Sequence, residues 1–208
     1  PTQGRTSTGA QSTNGPLKVT IVPMVSNGYT PDTSANRMEQ LRNRMLALYP
    51  VPDVEFTMRP AVSIGGVSGN GSGFGSALNT LENVRENDNA AFNVYYYGLL
   101  APAPSAQQFC GGGCVAGLSN QTQANDADRR ASVGIAYFPN GSSLDAPDTM
   151  AHEIGHAHGL PHAPCQVQDA GQFPYAGGAI GVWGYDPNSK TLLSPTSYKD
   201  VMGYCDPD

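Results

Sequence analysis

The sequence predicts a mixed α/β (α+β) fold, in which helices pack on a mixed sheet and a small, irregular C-terminal lobe follows. Three observations indicate this fold. Segments with strand and helix periodicity alternate over residues 17–159 in the order β-α-β-α-β-β-β-α. The last helix of this series has clear start signals. The chain beyond Pro161 is rich in Gly, Pro, Ser and Tyr and predicts loops.

The chain begins with an expected arm, followed by a first strand and helix. Residues 1–15 have no apolar periodicity and are expected to form a flexible N-terminal arm. Leu17 to Val25 is rich in Val and Ile and predicts the first strand. Apolar residues at helical spacing predict a helix over Ser34 to Leu48, which Pro50 and Pro52 end.

The middle of the chain predicts a second strand and helix and then three more strands. The strand covers Val54 to Met58, and the helix contains Ala77, Leu81 and Val84. The Gly/Ser-rich residues 65–76 are expected to form the loop between them. The three further strands are predicted at Ala91 to Leu100, Val115 to Leu118 and Ser132 to Phe138.

A third helix is predicted over Asp145 to Gly159. Asp145 is expected to cap it, Pro147 lies in its first turn, and Asp148 follows the cap by three residues. The apolar side of this helix is expected to pack under the sheet, which leaves its other side at the boundary with the C-terminal lobe.

Composition and charge restrict the class of protein. Charged residues make up only 13% of the 208-residue chain, and Lys occurs three times, which is typical of an extracellular protein. The net charge of −6 argues against a nucleic-acid binder and against docking on anionic membranes. No apolar stretch is long enough for a transmembrane helix, so membrane insertion is not expected.

Four cysteines allow three pairings if all of them form disulfides. We favour Cys110–Cys114, because the intervening glycines let the two thiols meet, and Cys165–Cys205. Free or metal-binding thiols are the alternatives. An even cysteine count in a chain with so little lysine agrees with secretion.

The segment that carries the chemistry contains three histidines at metal-ligand spacing. His152 and His156 are four residues apart, so both face one side of the predicted helix. Glu153 can reach a water on a metal held there without ligating the metal. Gly159 can adopt the left-handed conformation that ends a helix, and His162 can then return to complete a zinc site.

This string resembles the long zinc signature of the metzincins, H-E-x-x-H-x-x-G-x-x-H, at all five fixed positions. The segment from Asp200 to Tyr204 resembles the family's Met-containing turn. The resemblance implies a mainly parallel twisted sheet, and an apolar floor under the zinc ligands formed by Met202. It also implies that Tyr204 binds zinc at rest or stabilises the oxyanion, although Tyr204 could also be an ordinary packed residue.

The implied activity is that of a secreted zinc-dependent endopeptidase with Glu153 as general base. We expect a monomer with a single catalytic domain over residues 16–208, divided into subdomains 16–160 and 161–208. The resemblance also implies further domains of a longer chain. The metzincin subfamily stays open, because Ala163 after the third histidine fits none of the common choices.

The substrate is expected to be an extended protein or peptide that pairs with an edge strand. The candidate strand provides Val115, Ala116, Gly117 and Leu118; a plain glycine loop is the alternative. The pocket beside the zinc is expected to take its wall from residues 166–199, whose aromatic residues include Trp183 and Tyr185.

Three alternatives remain for the function and for a second ion. A zinc-containing module could bind without cleaving or act only on selected glycosylated proteins, and a zinc hydrolase could act on a non-peptide amide. The intact Glu153 argues against a pure scaffold. A calcium ion near the four acidic residues Asp126, Asp128, Asp145 and Asp148 is possible but unsupported, because they lack the dense spacing of a calcium loop.

Overall fold

The apolar runs of the first 135 residues form one six-stranded sheet in a computed structural model, which describes residues 15–121, 126–167 and 173–205. The strands in chain order are β1 (Leu17–Val25), β2 (Val54–Met58), β3 (Val62–Ser63), β4 (Val94–Leu100), β5 (Gly117–Ser119) and β6 (Ala131–Ile135). A separate antiparallel hairpin is formed by β7 (Gly184–Asp186) and β8 (Thr191–Leu193).

Four α-helices accompany the sheet. They are α1 (Ala35–Leu48), α2 (Phe74–Asn87), α3 (Ala106–Phe109) and α4 (Ala146–Ala157). Short 3₁₀ turns occur at Ala127–Arg129 and Ala176–Gly178.

The sheet is mainly parallel, with one antiparallel edge. Its order is β2-β1-β4-β6-β5, and β3 extends the pairing of β1. β2, β1, β4 and β6 run parallel, whereas β5 runs antiparallel to β6. The expected mixed, mainly parallel sheet is therefore confirmed.

Both faces of the sheet are buried, and alternate residues of β4 show how. Tyr95, Tyr97 and Leu99 pack on the face that carries α1 and α4. Tyr96 and Leu100 pack on the opposite face, against α2. A parallel strand covered on both sides is apolar at almost every position, which explains the continuous β-prone run in the sequence.

Several element boundaries differ from the sequence prediction: β4 begins at Val94 rather than Ala91, β6 ends at Ile135 rather than Phe138, and β3 and α3 were not predicted. α2 begins at Phe74, inside the predicted loop, because Phe74 is almost fully buried and anchors the first helical turn in the core. The short strand begins at Gly117 rather than Val115, since the N–H of Val115 is bonded to the carbonyl of Gly69 instead of continuing the ladder. Apart from Gly15, the expected N-terminal arm lies outside the described residues.

The prediction that Asp145 caps α4 is wrong. Asp145 has a left-handed backbone with φ of 56° and makes no side-chain cap hydrogen bond. Instead, the N–H of Ala146 donates to the Ser143 hydroxyl at 2.9 Å. Asp148 forms an ion pair with Arg44 of α1, so this carboxylate ties two helices together.

Two parts of the C-terminal segment are joined by hydrogen bonds and a disulfide beside α4. The N–H of Ala163 donates to the carbonyl of Met202 at 3.0 Å, and that of Tyr204 to the carbonyl of Cys165 at 2.9 Å. The Cys165–Cys205 disulfide closes the same pair of segments, and Cys110 is bonded to Cys114. Within the described part of the chain, no helix is long and apolar enough to cross a membrane.

Candidate metal centre and cleft

The three histidines of the motif meet at one point. His152 and His156 lie one turn apart on α4, and one ring nitrogen from each of these residues and from His162 lies within 4.8 Å of the other two. The Nε2 atoms of His156 and His162 are 3.1 Å apart. Three imidazoles that converge at such distances can share a single metal ion.

Gly159 makes the return of the chain possible. Its φ of 91° lies in the left-handed region, where a side chain would be strained. The N–H of Leu160 then reaches back to the carbonyl of Gly155 at 3.1 Å, which closes the helix end. The chain reverses over Pro161 and delivers His162 to the other two rings.

Hydrogen bonds on the far side of two rings orient them for metal binding. Nδ1 of His152 lies 2.7 Å from the carbonyl of Val201, and Nδ1 of His156 lies 2.8 Å from that of Leu160. Because a carbonyl only accepts, each Nδ1 donates and each Nε2 keeps its lone pair. Burial lowers the pKa of His152 to about 4, which keeps the ring neutral. This donor set fits zinc.

Glu153 lies beside the histidines, under the edge strand. The residue is only 7% exposed, and burial raises the pKa of its carboxyl group to about 8. Its side chain packs directly against the backbone of Gly117 in β5: a Cβ atom added there would lie 2.6 Å from Cγ of Glu153. The absence of a side chain at Gly117 therefore lets the carboxyl group occupy this place.

Met202 packs against the middle of α4. It is 2% exposed, and a Cβ atom on Gly155 would lie 3.2 Å from its Cε and would collide with its sulfur. The turn that carries it is closed by Asp200, whose carboxylate accepts the N–H of Met202 and whose carbonyl accepts the N–H of Gly203.

Tyr204 reaches the metal-binding point from the outside. Its hydroxyl lies 3.2 Å from Nε2 of His162, and its ring stands edge-on to that imidazole. The residue is 58% exposed, so it borders the open cleft rather than the core. The fourth histidine, His158, is oriented elsewhere, since its ring stacks on Tyr95 at 4.4 Å and its Nδ1 faces the carbonyl of Ile154.

Two hollows flank the histidines along the edge strand. The larger, of about 540 Å³, adjoins residues 114–117 of the edge and its wall also includes Asp148, Thr149, Val201, Gly203 and Cys205. The smaller, of about 280 Å³, adjoins residues 117–119 and includes Gln121, His156, Pro161 and His162. Gly117, His152, Glu153 and Tyr204 border both hollows.

The expected pocket wall from residues 166–199 does not line these hollows in the part of the chain that the structure describes. Trp183, just before β7 of the hairpin, is instead 65% exposed, and Tyr185, within β7, is 56% exposed. The hairpin contacts α1, with the Asn188 amide donating to the carbonyl of Asn43, so the hairpin lies away from the cleft.

The ladder between β5 and β6 shows which backbone groups are free at the edge. The carbonyl of Ala116 accepts the N–H of Ile135 at 2.7 Å, so Ala116 faces β6. In an antiparallel pair, the next residue directs both polar groups to the other side. Gly117 and Ser119 therefore present their N–H and C=O groups to the free edge, while Ala116 and Leu118 face the sheet.

The acidic residues considered for a calcium site do not lie close together. Among the described residues, the three histidines form the only group of three or more potential ligands close enough for a metal ion. Asp148 is paired with Arg44, and Asp128 lies 4.0 Å from Arg85.

Several residues of the site were not identified from the sequence. Thr149, Val201 and Gly203 line the larger hollow only because α4 and the Met202 turn meet there. One signal was visible: Ser132 is a polar residue in an otherwise apolar strand, and it is fully buried behind Glu153.

Comparison with known proteins supports a metalloprotease. The model of the Peptidase M66 family matches residues 117–206, which include β5, the three histidines and Tyr204. Dictomallein of Burkholderia mallei (strain SAVP1) is 32% identical over 151 residues, covering 69% of this chain and 19% of that protein. The values are the same for dictomallein of Burkholderia pseudomallei (strain K96243).

A dictomallein-like protein of Hahella chejuensis is 34% identical over 84 residues, covering 38% of this chain and 13% of that protein. The chain thus spans about a fifth or less of the length of these curated relatives. The family match, the relatives and the three-histidine cluster together support a peptidase that holds a metal ion.

Proposed function

We propose that this chain is a secreted zinc-dependent endopeptidase that cleaves extended protein segments. The observation that carries the proposal is the meeting of three imidazoles, two of them oriented by hydrogen bonds, and a buried carboxyl group at the free edge of a sheet, within the segment similar to Peptidase M66. His152, His156 and His162 are the proposed metal ligands.

His152, His156 and His162 would hold a zinc ion, which when bound would supply an activated water and polarise a carbonyl group. Glu153 is the proposed general base, which takes a proton from the attacking water and passes it to the leaving amine. Its burial suits this task, because removal from water raises the pKa of the carboxyl group and so makes the carboxylate a better proton acceptor than an exposed one.

Tyr204 and Met202 have supporting roles in this proposal. The Tyr204 hydroxyl, 3.2 Å from Nε2 of His162, can donate a hydrogen bond to the negative charge that develops on the scissile carbonyl oxygen. Met202 supplies an apolar floor that holds the helix turn bearing His152 and His156 in place.

The free edge of β5 is the proposed substrate-binding strand. An extended peptide that runs antiparallel to β5 can pair with the outward groups of Gly117 and Ser119. In that direction its C-terminal part passes residues 114–117, so the hollow of about 540 Å³ receives the side chain after the scissile bond. Of the four residues named from the sequence, Ala116 and Leu118 support the strand and Gly117 contacts the substrate.

Secretion is proposed from the covalent structure and the surface. Two disulfides persist in an oxidising environment, and all four cysteines are used in them. The low lysine content, with 13% charged residues in all, agrees with an extracellular location.

The experiment that tests the function is cleavage of denatured casein by the zinc-loaded protein, with and without a zinc chelator and beside the Glu153→Gln variant. We expect chelator-sensitive cleavage, and a loss of about 10²-fold or more in kcat for the variant, as for removal of a general base. Metal analysis should show equal zinc in both proteins, because Glu153 is not a ligand.

Two results would contradict the proposal. Unchanged activity of the Glu153→Gln variant would remove Glu153 from the mechanism. Absence of cleavage by folded, zinc-loaded protein would favour a non-catalytic zinc-containing binding module or a protease restricted to particular, for example glycosylated, partners.

A further inference from the structure

We propose that Ser119 and Ser132 form a hydrogen-bonded link that fixes the spacing between the substrate-binding edge strand and the helix turn that carries Glu153. Both serines are positioning residues in this inference, which rests on the proposed function. The link makes the strand that holds the peptide and the residue that activates the water parts of one rigid unit.

Ser132 is the buried centre of the link. It lies in β6 with no exposed surface, between strand neighbours that are apolar and equally buried. Its hydroxyl donates to the main-chain carbonyl of Glu153 at 3.0 Å. In an α-helix this carbonyl also receives the N–H four residues later, so the serine adds a second bond to a group that is already satisfied.

Ser119 completes the link at the edge. It lies directly opposite Ser132 in the antiparallel ladder, and the two hydroxyl oxygens are 2.8 Å apart. The contacts of the Ser119 hydroxyl with the carbonyls of Asn120 and Ala131 are longer, at 3.2 and 3.4 Å. Because the Ser132 proton goes to Glu153, the Ser119 hydroxyl donates to Ser132.

The two faces of β5 explain why this link bears on catalysis. The side chain of Ser119 points towards α4, on the same side of the strand as Gly117, against which the Glu153 side chain packs. The main-chain groups of Ser119 point to the free edge, where the peptide pairs. A peptide bonded to Ser119 is therefore connected through two hydroxyl groups to the backbone of Glu153.

Stability alone does not account for a serine at this place. An alanine in position 132 would leave no carbonyl of α4 without its helical partner, and its methyl group would suit the apolar surroundings. An alanine would remove the hydrogen bonds that fix the position of α4 relative to β5. Errors of about 1 Å in the placement of reacting groups cost about 10²-fold in rate.

The test compares Ser132→Ala and Ser119→Ala with a matched control, Ser26→Ala. Ser26 is also fully buried and its hydroxyl also makes two hydrogen bonds, to Gly65 and Val67, but it lies outside the cleft. For a quenched peptide substrate, we expect kcat to fall about tenfold in each link variant with KM changed less than about twofold, as for lost positioning. The control should keep the kcat of the unmodified enzyme.

Two further variants separate a link from two independent serines. In the double variant Ser119→Ala/Ser132→Ala, the loss in kcat should be no larger than in Ser132→Ala alone, because either change breaks the same chain. Ser119→Thr keeps the hydroxyl and should restore most of the activity lost in Ser119→Ala. Multiplied losses in the double variant, or a threonine as poor as alanine, would overturn the inference.

Amide hydrogen exchange provides a readout that needs no activity. The amide of Leu118, which faces β6, should exchange faster in both link variants than in the unmodified protein and at an unchanged rate in Ser26→Ala. If the zinc-loaded protein proves inactive, the proposed function fails while exchange still decides on the link. Unchanged exchange in both link variants, or an unchanged kcat of Ser132→Ala in an active enzyme, refutes it.

Discussion

At the scale of single residues, the side chain of Glu153 packs against a glycine of the edge strand. Gly117 is the point where the edge strand passes over the carboxyl group, and a Cβ atom there would lie 2.6 and 2.7 Å from Cγ and Cδ of Glu153. These separations are well inside van der Waals contact. A side chain at position 117 would therefore occupy the space that the Glu153 side chain now fills.

Gly117→Ala is therefore expected to displace the Glu153 side chain and to lower kcat by about 10²-fold, as for a misplaced catalytic group. Zinc content should stay the same, because the three atoms nearest to the new methyl group all belong to Glu153, which is not a proposed metal ligand. Steady-state kinetics and metal analysis check this. Gly75→Ala is the control: its Cβ atom would meet nothing within 4 Å, so full activity should remain.

Tyr204→Phe tests the proposed role of the hydroxyl beside His162. The loss of one hydrogen bond to the developing oxyanion is expected to lower kcat by about 10- to 10³-fold with a small change in KM. The phenyl ring keeps the edge-on contact with His162, so the stability should hardly change. Equal kcat values for the two proteins would assign Tyr204 to packing alone.

At the scale of elements, the site depends on two segments that are distant in sequence and fastened together. The Cys165–Cys205 disulfide, with a sequence separation of 40, joins the chain after His162 to the chain after Met202. Two main-chain hydrogen bonds between the same segments run beside it. The third histidine, His162, and the Met202 turn are thereby held in fixed positions against α4.

Replacing Cys165 and Cys205 by alanine is expected to lower the free energy of unfolding by about 2–4 kcal/mol. It should also increase zinc loss to a chelator, since His162 loses its bracing. Thermal melting and a competition assay with a chromogenic chelator measure the two effects. The Cys110–Cys114 disulfide closes a loop with a sequence separation of only 4. Replacing both of these cysteines by alanine should therefore lower the free energy of unfolding less and leave zinc retention unaltered.

At the scale of the whole molecule, the carboxyl group of Glu153 and the ring of His152 share one buried junction. Sheet, α4 and the Met202 turn together remove Glu153 from water and raise its pKa from 4.5 to about 8. The folded, metal-free protein therefore keeps a proton that the unfolded chain has lost. This contribution to stability is present below pH 4.5 and is lost as the pH rises towards 8.

The metal-free Glu153→Gln variant should consequently gain stability relative to the unmodified protein as the pH rises from 4.5 to 8. Melting curves of the two chelator-treated proteins over this range measure the difference. His152, whose pKa is lowered to about 4 by burial, titrates in both proteins and cancels in the comparison. A difference in melting temperature that stays constant with pH would show that Glu153 is not buried as described.

The sequence by itself determined the kind of fold and the candidate metal ligands. Strand-like and helix-like apolar segments in the first 135 residues predicted a mixed sheet with helices packed on it, and helix geometry alone places His152 and His156 on one side of a helix. Gly159 marked the reversal before His162 because only glycine favours that backbone conformation. These are local properties, decided within a few residues of chain.

Only the tertiary structure decided the surroundings of the site. The N–H of Ala146 at the start of α4 is bonded to the Ser143 hydroxyl, and Asp148 is paired with Arg44 from another helix. The walls of the cleft come from α4 and the Met202 turn, and the aromatic hairpin lies away from them. Such contacts join residues far apart in the chain, and no local pattern encodes which distant backbone will pass over Glu153.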